Sequence, residues 1–482
     1  MAENLKKETV KGVAWSAVEK FSTGGVIFIT NIILARLLSP DDFGLLAVIT
    51  IFVQIAQTFI DSGFSNALIQ KKDRNQIDYS TIFFFNLAIS ILFYIILWFS
   101  APLVAKFFAN EKLVALTRVV GLNFVIGALV AVHRTRLTIL LQFKKQSQIT
   151  LVSSCVAAVV SITLAYNEFG VWSLVFLTII NISLQTILFF VLIKWHPSLV
   201  FSIKAFRGLF SYSSNLLGAS LINILYKNIY PIVIGKIFSP KELGYFNRAD
   251  TFAQYPPHTI GSIVSRVAFP IFSRLQDDNV RLRQAYSKYI TYTSLIIFPI
   301  MVGCIVMAHP LILTVLKERW LPMVPLFQIL CLDWMTEHLS SINLNILYVK
   351  GRSDLALRLE IIKKIIALII FIVSLNWGII GVCWGRVMYG VIAVYLNSFY
   401  TKTLIGMSII KQVSDIIGPL VQAFAMGVIV FFYQKIVWLE GITNLMSCVI
   451  VGIISYITIL FFTNKGILKD IAKLVKHKGD RI

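Results

Sequence analysis

The sequence predicts an all-α integral membrane protein with about 14 transmembrane helices. Apolar residues make up 57% of the 482 residues, whereas charged residues make up only 14%. The mean hydropathy of +0.80 is too high for a soluble protein of this length, which would have to cover its surface with charge. The apolar residues also occur in blocks of about twenty, the length that a helix needs to cross about 30 Å of hydrocarbon.

The apolar blocks divide the chain into fourteen predicted spans and a short set of connections. The first block is too long for a cleavable signal peptide and is followed by further spans. The predicted spans are residues 12–37, 43–68, 80–104, 114–141, 148–166, 171–194, 207–237, 243–272, 286–309, 323–349, 355–375, 378–400, 413–435 and 442–463.

The spans are predicted to form two parallel six-helix bundles. The N-terminal bundle covers residues 1–195, a cytoplasmic interfacial linker 196–206, and the C-terminal bundle 207–402. Two extra transmembrane helices occupy 403–465. Residues 466–482 form a cytoplasmic amphipathic tail that we expect to lie on anionic lipid.

The distribution of lysine and arginine along the chain predicts the orientation of the protein in the membrane. They are concentrated in alternate connections, beginning with Lys6, Lys7 and Lys11 before the first span. Cytoplasmic loops carry this excess, so both termini are predicted to lie in the cytoplasm. The net charge of +21 would suggest nucleic-acid binding in a soluble protein, but here the bases lie between apolar blocks, which favours the membrane.

The two bundles repeat one sequence pattern at an offset of 200 residues. The segment IILARLLSPDDFG, ending at Gly44, corresponds to IVIGKIFSPKELG, ending at Gly244. Since the two copies begin predicted spans of the same direction, the halves are predicted to be parallel repeats with a substrate cavity between them.

The predicted spans contain more bases than acids. A charge in the bilayer is costly, so it must reach a partner, a cavity or the interface. The in-span bases are Lys20, Arg118, Arg134, Arg136, Lys227, Arg248, Arg266, Lys363, Lys364 and Arg386, and the in-span acids are Glu19, Asp61, Asp250, Asp333, Glu337 and Glu360. The excess of positive charge predicts a cavity that attracts an anion such as phosphate.

Five of these bases are candidates for substrate binding. Lys20, Lys227, Arg248 and Arg266 lie on the predicted central spans, and Arg118 is the next candidate. Four others lie near predicted cytoplasmic ends and are interpreted as snorkelling to the interface: Arg134, Arg136, Lys363 and Lys364.

Two acids and two prolines complete the candidate set. Glu19 and Asp61 are candidates for ion or proton coupling, with a structural ion pair as the alternative. Pro256 and Pro257 are adjacent in the eighth span, and a hinge is the favoured interpretation because each proline removes a backbone donor.

Catalytic and metal-binding patterns are absent from the sequence. The five cysteines lie in apolar blocks without CxxC spacing, and the six histidines lack ligand spacing. We therefore expect no cofactor, no metal and no enzymatic activity.

The segments KGVAWSAVEKF, IILARLLSPDDFGLLAV, DSGFSNALIQKKD and DYSTIFFFN resemble Wzx-type polysaccharide exporters of the MOP superfamily of flippases. The resemblance is dense over residues 10–110 and diffuse to about 400. It implies a two-bundle fold in the cytoplasmic membrane and translocation of undecaprenyl-pyrophosphate-linked oligosaccharide, driven by an ion or a proton. It also implies a polysaccharide polymerase and export machinery as possible partners.

Two alternatives stay open at this point. A membrane-embedded polysaccharide polymerase or glycosyltransferase would be expected to carry a large external loop, and the predicted external loops are short. A multidrug efflux transporter of the same superfamily would need an acidic cavity for cationic drugs, which the excess of in-span bases opposes.

Overall fold

The computed structural model describes residues 22–61, 64–71, 73–140, 142–437 and 440–463. The regular elements within these ranges are α-helices and short 3-10 turns. The helices are α1 Ser22–Leu37, α2 Pro40–Asp61, α3 Phe64–Gln70, α4 Gln76–Phe107, α5 Lys112–Ile139, α6 Phe143–Tyr166, α7 Val171–Leu192, α8 Ile203–Ile237, α9 Pro240–Arg274, α10 Asn279–Val306, α11 Ala308–Leu316, α12 Val324–Val349, α13 Ser353–Ser374, α14 Gly378–Ile405, α15 Ile409–Ile436 and α16 Gly441–Thr463.

The predicted membrane-spanning fold is confirmed. Within the described ranges, 8 helical stretches are long and apolar enough to cross a bilayer by length and composition, and one of them, Ser353–Ile405, contains both α13 and α14. Helices α8, α9 and α12 are also 35, 35 and 26 residues long, but they carry charged residues inside the span. The helices expose large apolar side chains such as Phe99, which is 75% exposed, as a lipid-facing surface does.

The described chain forms two compact units, residues 1–247 and 248–482. In the first unit, α4 packs on α5, α6 on α7, and α2 on α8. In the second, α12 packs on α14 and α10 on α15. These units are defined by contacts between helices, whereas the predicted bundles are defined by the sequence repeat. The division between the units lies inside α9 rather than in the predicted linker at 196–206. The predicted bundle boundaries stay a prediction.

The repeated SP-x-x-x-G motif begins α2 and α9 with the same cap. Asp42 Oδ2 accepts hydrogen bonds from the backbone nitrogen and the hydroxyl of Ser39, at 3.0 and 2.7 Å. Glu242 Oε2 accepts the same pair from Ser239, both at 3.1 Å. The hydroxyls of the two serines accept in turn from the third helical residue. Each motif is therefore a capping box, in which serine and acid satisfy free donors at the helix start.

The connection between α7 and α8 is an irregular segment anchored on the start of α4. Trp195 Nε1 donates to Gln76 Oε1 at 2.6 Å, and the backbone nitrogen of Ser202 donates to Thr81 Oγ1 at 3.1 Å. The amphipathic tail at 466–482 and the first part of the span predicted at 12–37 lie outside the described residues.

Candidate functional site

Arg134 points a guanidinium into the interior of the first unit. It lies in α5, about one and a half turns before the helix ends, and its side chain is half-buried. Its Nη2 donates to Gln185 Oε1 of α7 at 2.7 Å. Only this one bond to a neutral acceptor is formed, so the charge of Arg134 has no carboxylate beside it in the described part of the first unit.

A hydrogen-bonded series of polar side chains connects Arg134 of α5 to α7 and then to α6. Gln185 Nε2 donates to Asn181 Oδ1, and Asn181 Nδ2 donates to Ser154 Oγ of α6 at 3.2 Å. Polar side chains that hydrogen-bond to one another inside a span hold fixed positions, because the alternative is an unsatisfied group in hydrocarbon. Gln185 therefore fixes the direction of the Arg134 guanidinium.

Arg134 lines a pocket of about 220 Å³. Gln57 of α2, Thr135 and Thr138 of α5, and Ile182 of α7 form other parts of its wall. The Thr135 and Thr138 hydroxyls donate to the backbone carbonyls of Ala131 and Arg134. The guanidinium of Arg134 and the amide of Gln57 can therefore bind the oxygens of an anion, and the apolar side chains around them lower the local dielectric and strengthen that interaction.

The two repeats approach each other closely where α2 and α9 begin, within the first unit. A Cβ placed on Gly44 would stand 1.7 Å from the carbonyl oxygen of Pro240, and one on Gly244 would stand 2.0 Å from that of Pro40. Only glycine allows a carbonyl so close, so the repeated glycine makes a reciprocal backbone contact possible. One turn earlier, Lys236 Nζ donates to Phe107 O at 2.5 Å.

Arg386 organises a charged network inside the second unit. Its Nη1 lies 2.7 Å from Asp250 Oδ1 of α9, and its Nη2 lies 2.6 Å from Asp333 Oδ2 of α12. Trp334 Nε1 donates to the same Asp250 oxygen at 2.8 Å. The Arg386 side chain is 16% exposed, so the two carboxylates that contact it are what makes its charge tolerable there.

A glycine in α14 leaves space for the side chain of Asp333 in this network. A Cβ on Gly390, one turn after Arg386 in α14, would stand 3.2 Å from Asp333 Oδ1. Glu337 lies one turn after Asp333 on the same face of α12, and it is exposed. On α13, Lys363 Nζ lies 2.5 Å from Glu360 Oε1.

The structure describes part of the predicted site. Lys20 and Glu19 lie outside the described residues, and the side chains of Asp61, Lys227 and Arg266 are not described. The predictions for these five residues stay predictions.

Arg118 and Arg248 are both described. The Arg118 guanidinium lies 4.6 Å from the ring centre of Trp98, and its Nε donates to Trp98 O at 3.4 Å, so this base packs on α4. Arg248 is half-buried in α9. Helix α9 continues through Pro256 and Pro257, and the hinge stays a prediction.

From the sequence, Arg134 and Lys363 are interpreted as snorkelling to the interface, and this stays a prediction. In the structure both side chains have polar partners on their own or neighbouring helices. One signal could have identified Arg134 earlier. Asn181 and Gln185 of α7 are amide side chains at i and i+4 in a span whose other residues are apolar or small hydroxyl residues, which indicates a polar stripe facing another helix.

Comparison with known proteins identifies the family. The model of the family "Polysaccharide biosynthesis protein" matches residues 33–325, more than half of the chain. The chain belongs to this polysaccharide biosynthesis family. It is 26% identical over 431 residues to the teichuronic acid biosynthesis protein TuaB of Bacillus subtilis (strain 168), covering 89% of each chain.

Other relatives of the polysaccharide biosynthesis family are similar over comparable lengths. The lipopolysaccharide biosynthesis protein WzxC of Escherichia coli (strain K12) is 26% identical, over 88% of this chain and 89% of that one. The succinoglycan biosynthesis transport protein ExoT of Rhizobium meliloti (strain 1021) is 24% identical, over 98% of this chain and 97% of that one. The resemblance to Wzx-type exporters of the MOP superfamily is thereby confirmed.

Solved structures show the fold. The lipid II flippase MurJ in an inward closed conformation matches with a TM-score of 0.75 and 16% identity, over 94% of this chain and 100% of that one. An inward-facing multidrug resistance MATE family transporter of the MOP superfamily matches with a TM-score of 0.60 and 13% identity, over 78% of this chain and 94% of that one. The chain is a multi-pass membrane protein with the fold that these two structures share.

Proposed function

We propose that this protein is a flippase that moves undecaprenyl-pyrophosphate-linked oligosaccharide repeat units across the cytoplasmic membrane for surface polysaccharide synthesis. The names of its relatives place them in the synthesis of teichuronic acid, lipopolysaccharide and succinoglycan. The resemblance to Wzx-type exporters implies sugar units carried on a lipid diphosphate, and a large polar headgroup does not cross hydrocarbon unaided.

The observation that carries this proposal is the arginine pocket in the first unit. Arg134 is held by one neutral amide and lines about 220 Å³ of space with two threonine hydroxyls. A diphosphate supplies anionic oxygens for the donors of the guanidinium that Gln185 does not use. We assign Arg134 to the diphosphate, and the threonine oxygens, whose protons are donated to backbone carbonyls, to accept hydrogen bonds from the hydroxyls of the first sugar.

The cavity candidates from the sequence stay part of the proposal. Lys20, Lys227, Arg248 and Arg266 would add positive charge to the headgroup path, and Arg118 would lie at its edge. A positive path attracts the diphosphate and releases it into the opposite leaflet once the site opens there.

Alternating access requires a closure that can open, and the glycine contact is a suitable one. The first residues of α2 and α9 lie on the side predicted to be external. There Gly44 leaves room for the carbonyl of Pro240, and Gly244 leaves room for the carbonyl of Pro40. The atoms in this contact are uncharged backbone atoms, so the contact can separate without exposing a buried charge. We assign the external gate to it, with the hinge at Pro256 and Pro257 on the same helix α9.

Ion or proton coupling belongs to the same proposal. Glu19 and Asp61 are the candidates from the sequence, and Glu337 is a further one. Its carboxylate lies one turn from Asp333 and within electrostatic range of Arg386. An exposed carboxylate in the middle of a span would face a wet path rather than lipid, and it could exchange a cation or proton with that path.

The cellular setting follows from this activity. The distribution of bases supports an orientation with both termini in the cytoplasm, and the cytoplasmic membrane is the location that we propose. A polymerase and export machinery would consume the repeat units on the outer face.

Reconstitution of the full-length protein tests the proposal. The probe is a fluorescent undecaprenyl-diphosphate-linked sugar in lipid vesicles, with an inward or outward gradient of protons or sodium. Faster exposure of the inner-leaflet probe to a membrane-impermeant quencher than in protein-free vesicles is the expected result. Vesicles that move ethidium but not the lipid probe would instead indicate a drug efflux transporter, and joining of two sugar units would indicate a polymerase.

A further inference from the structure

A second pocket lies at the start of α8, and we infer that it binds the headgroup of an anionic phospholipid. It has a volume of about 680 Å³ and lies between the α3–α4 connection and the first turns of α8. Its polar wall is formed by Lys71, Asn75, Asp78, Ser202 and Lys204. It shares no lining residue with the Arg134 pocket.

The charge of the pocket favours an anion. Lys71 Nζ lies 2.6 Å from Asp78 Oδ1, and this pair is neutral as a whole. Lys204 lines the pocket as well and is exposed, and Arg207 lies exposed three residues further along α8. Asp73 is the exposed acid on the adjoining connection. Among the described residues, the three bases Arg74, Lys204 and Arg207 against Asp73 leave positive charge at the mouth of the pocket.

The connection that leads into α8 beside the pocket is held to α4 before any ligand binds: Ser202, which lines the pocket, donates from its backbone nitrogen to Thr81 Oγ1 at 3.1 Å. Gln76 Nε2 at the start of α4 donates to the carbonyl oxygen of His196 at 2.8 Å and to Ser198 Oγ at 3.0 Å. The backbone nitrogen of Ser198 donates to Ser80 Oγ at 2.9 Å. A preformed site loses less entropy on binding than one that must be ordered by its ligand.

The rim of the pocket is apolar and exposed. Leu199 is 92% exposed, Phe201 50% and Ile203 62%, and Ile77 of α4, at 42%, lines the pocket itself. Large apolar side chains next to lysines are unfavourable in water but fit the boundary between headgroups and acyl chains. The bases would contact the phosphate while the rim contacts the first carbons of the acyl chains.

The position of the pocket selects a resident phospholipid rather than the transported lipid. It lies on the side that the basic residues predict to be cytoplasmic, where anionic phospholipids attract polybasic segments. The transported lipid carries a diphosphate with sugars, for which the Arg134 pocket is the proposed site. Both headgroups contain phosphate, so the test must separate them.

The test is a lipid-binding measurement on the purified full-length protein in detergent. Native mass spectrometry counts retained phosphatidylglycerol against phosphatidylcholine, and the midpoint of thermal unfolding is followed in the same samples. We expect several-fold higher retention of phosphatidylglycerol and a higher midpoint with it. The double variant Lys204→Gln/Arg207→Gln is expected to lose about tenfold in retention. The matched control Lys402→Gln/Lys411→Gln changes two exposed lysines elsewhere on the predicted cytoplasmic side and is expected to bind as wild type.

Three outcomes would overturn the inference. Equal retention of the two phospholipids by wild type would show that charge does not select the lipid. Equal losses in the double variant and its control would place binding elsewhere. Displacement of phosphatidylglycerol by an equimolar amount of undecaprenyl pyrophosphate would make the pocket a substrate site. None of these measurements depends on transport, so they are independent of the flippase proposal.

Discussion

The backbone nitrogen of Gly44 lies 3.2 Å from the point where a Cβ would stand on Gly244, so the two glycines of the repeated motif face each other. Each belongs to the first turns of a helix that begins with the same serine–acid cap. The equivalent positions of the two repeats thus meet each other in the structure, as they do at an axis of internal symmetry.

Gly44→Ala is the first prediction. The added methyl group would overlap the carbonyl group of Pro240. We therefore expect the first turns of α2 and α9 to move apart and the free energy of unfolding to fall by about 1–3 kcal/mol. Gly244→Ala should have a similar effect. Thermal unfolding of the purified protein measures both. Gly418→Ala in α15 is the control, because nothing lies within 4 Å of its Cβ position. A loss in Gly418→Ala as large as in Gly44→Ala would argue against the contact.

Arg386→Met is the second prediction. Removing the base leaves Asp250 and Asp333 close together without a counter-charge, which we expect to cost about 3–5 kcal/mol of stability. Replacing all three charges at once, as Arg386→Met/Asp250→Asn/Asp333→Asn, removes that repulsion. The triple variant should therefore unfold at a higher temperature than the single variant. If the single and triple variants unfold at the same temperature, the network does not stabilise the second unit as described.

The third prediction concerns the two helix caps. Asp42→Ala and Glu242→Ala each remove the acid that accepts two hydrogen bonds from the preceding serine, at a cost of about 1 kcal/mol. Because the caps are equivalent, the two losses in unfolding midpoint should agree closely. Asp277→Ala changes an exposed acid and should leave the midpoint unchanged. A large effect at only one cap would show that the repeats are not equivalent there.

Much of the fold follows from local sequence. Apolar length alone predicts α13, which was expected at 355–375 and lies at Ser353–Ser374. The span expected at 43–68 covers most of α2 and α3, and residues 62–63 between them lie outside the described residues.

The partners of the charged residues depend on distant parts of the chain. Arg386 pairs with Asp250 across 136 positions, and Arg134 pairs with Gln185 across 51. The sequence reports that a base lies in a span but not which helix packs beside it. For Arg134, closeness to the end of the span favoured snorkelling, whereas the polar stripe of α7 holds the side chain inside.

The role of Arg134 tests the central claim most directly, using the vesicle assay with fluorescent undecaprenyl-diphosphate-linked sugar. Removing the guanidinium loses charged hydrogen bonds to the diphosphate, so Arg134→Ala should slow translocation by about tenfold or more. Arg134→Lys keeps the charge without the planar fork and should be intermediate. Arg281→Ala, at an arginine whose side chain is 75% exposed, serves as the control and should translocate at the wild-type rate. Translocation by folded Arg134→Ala as fast as by wild type would contradict the proposed diphosphate site.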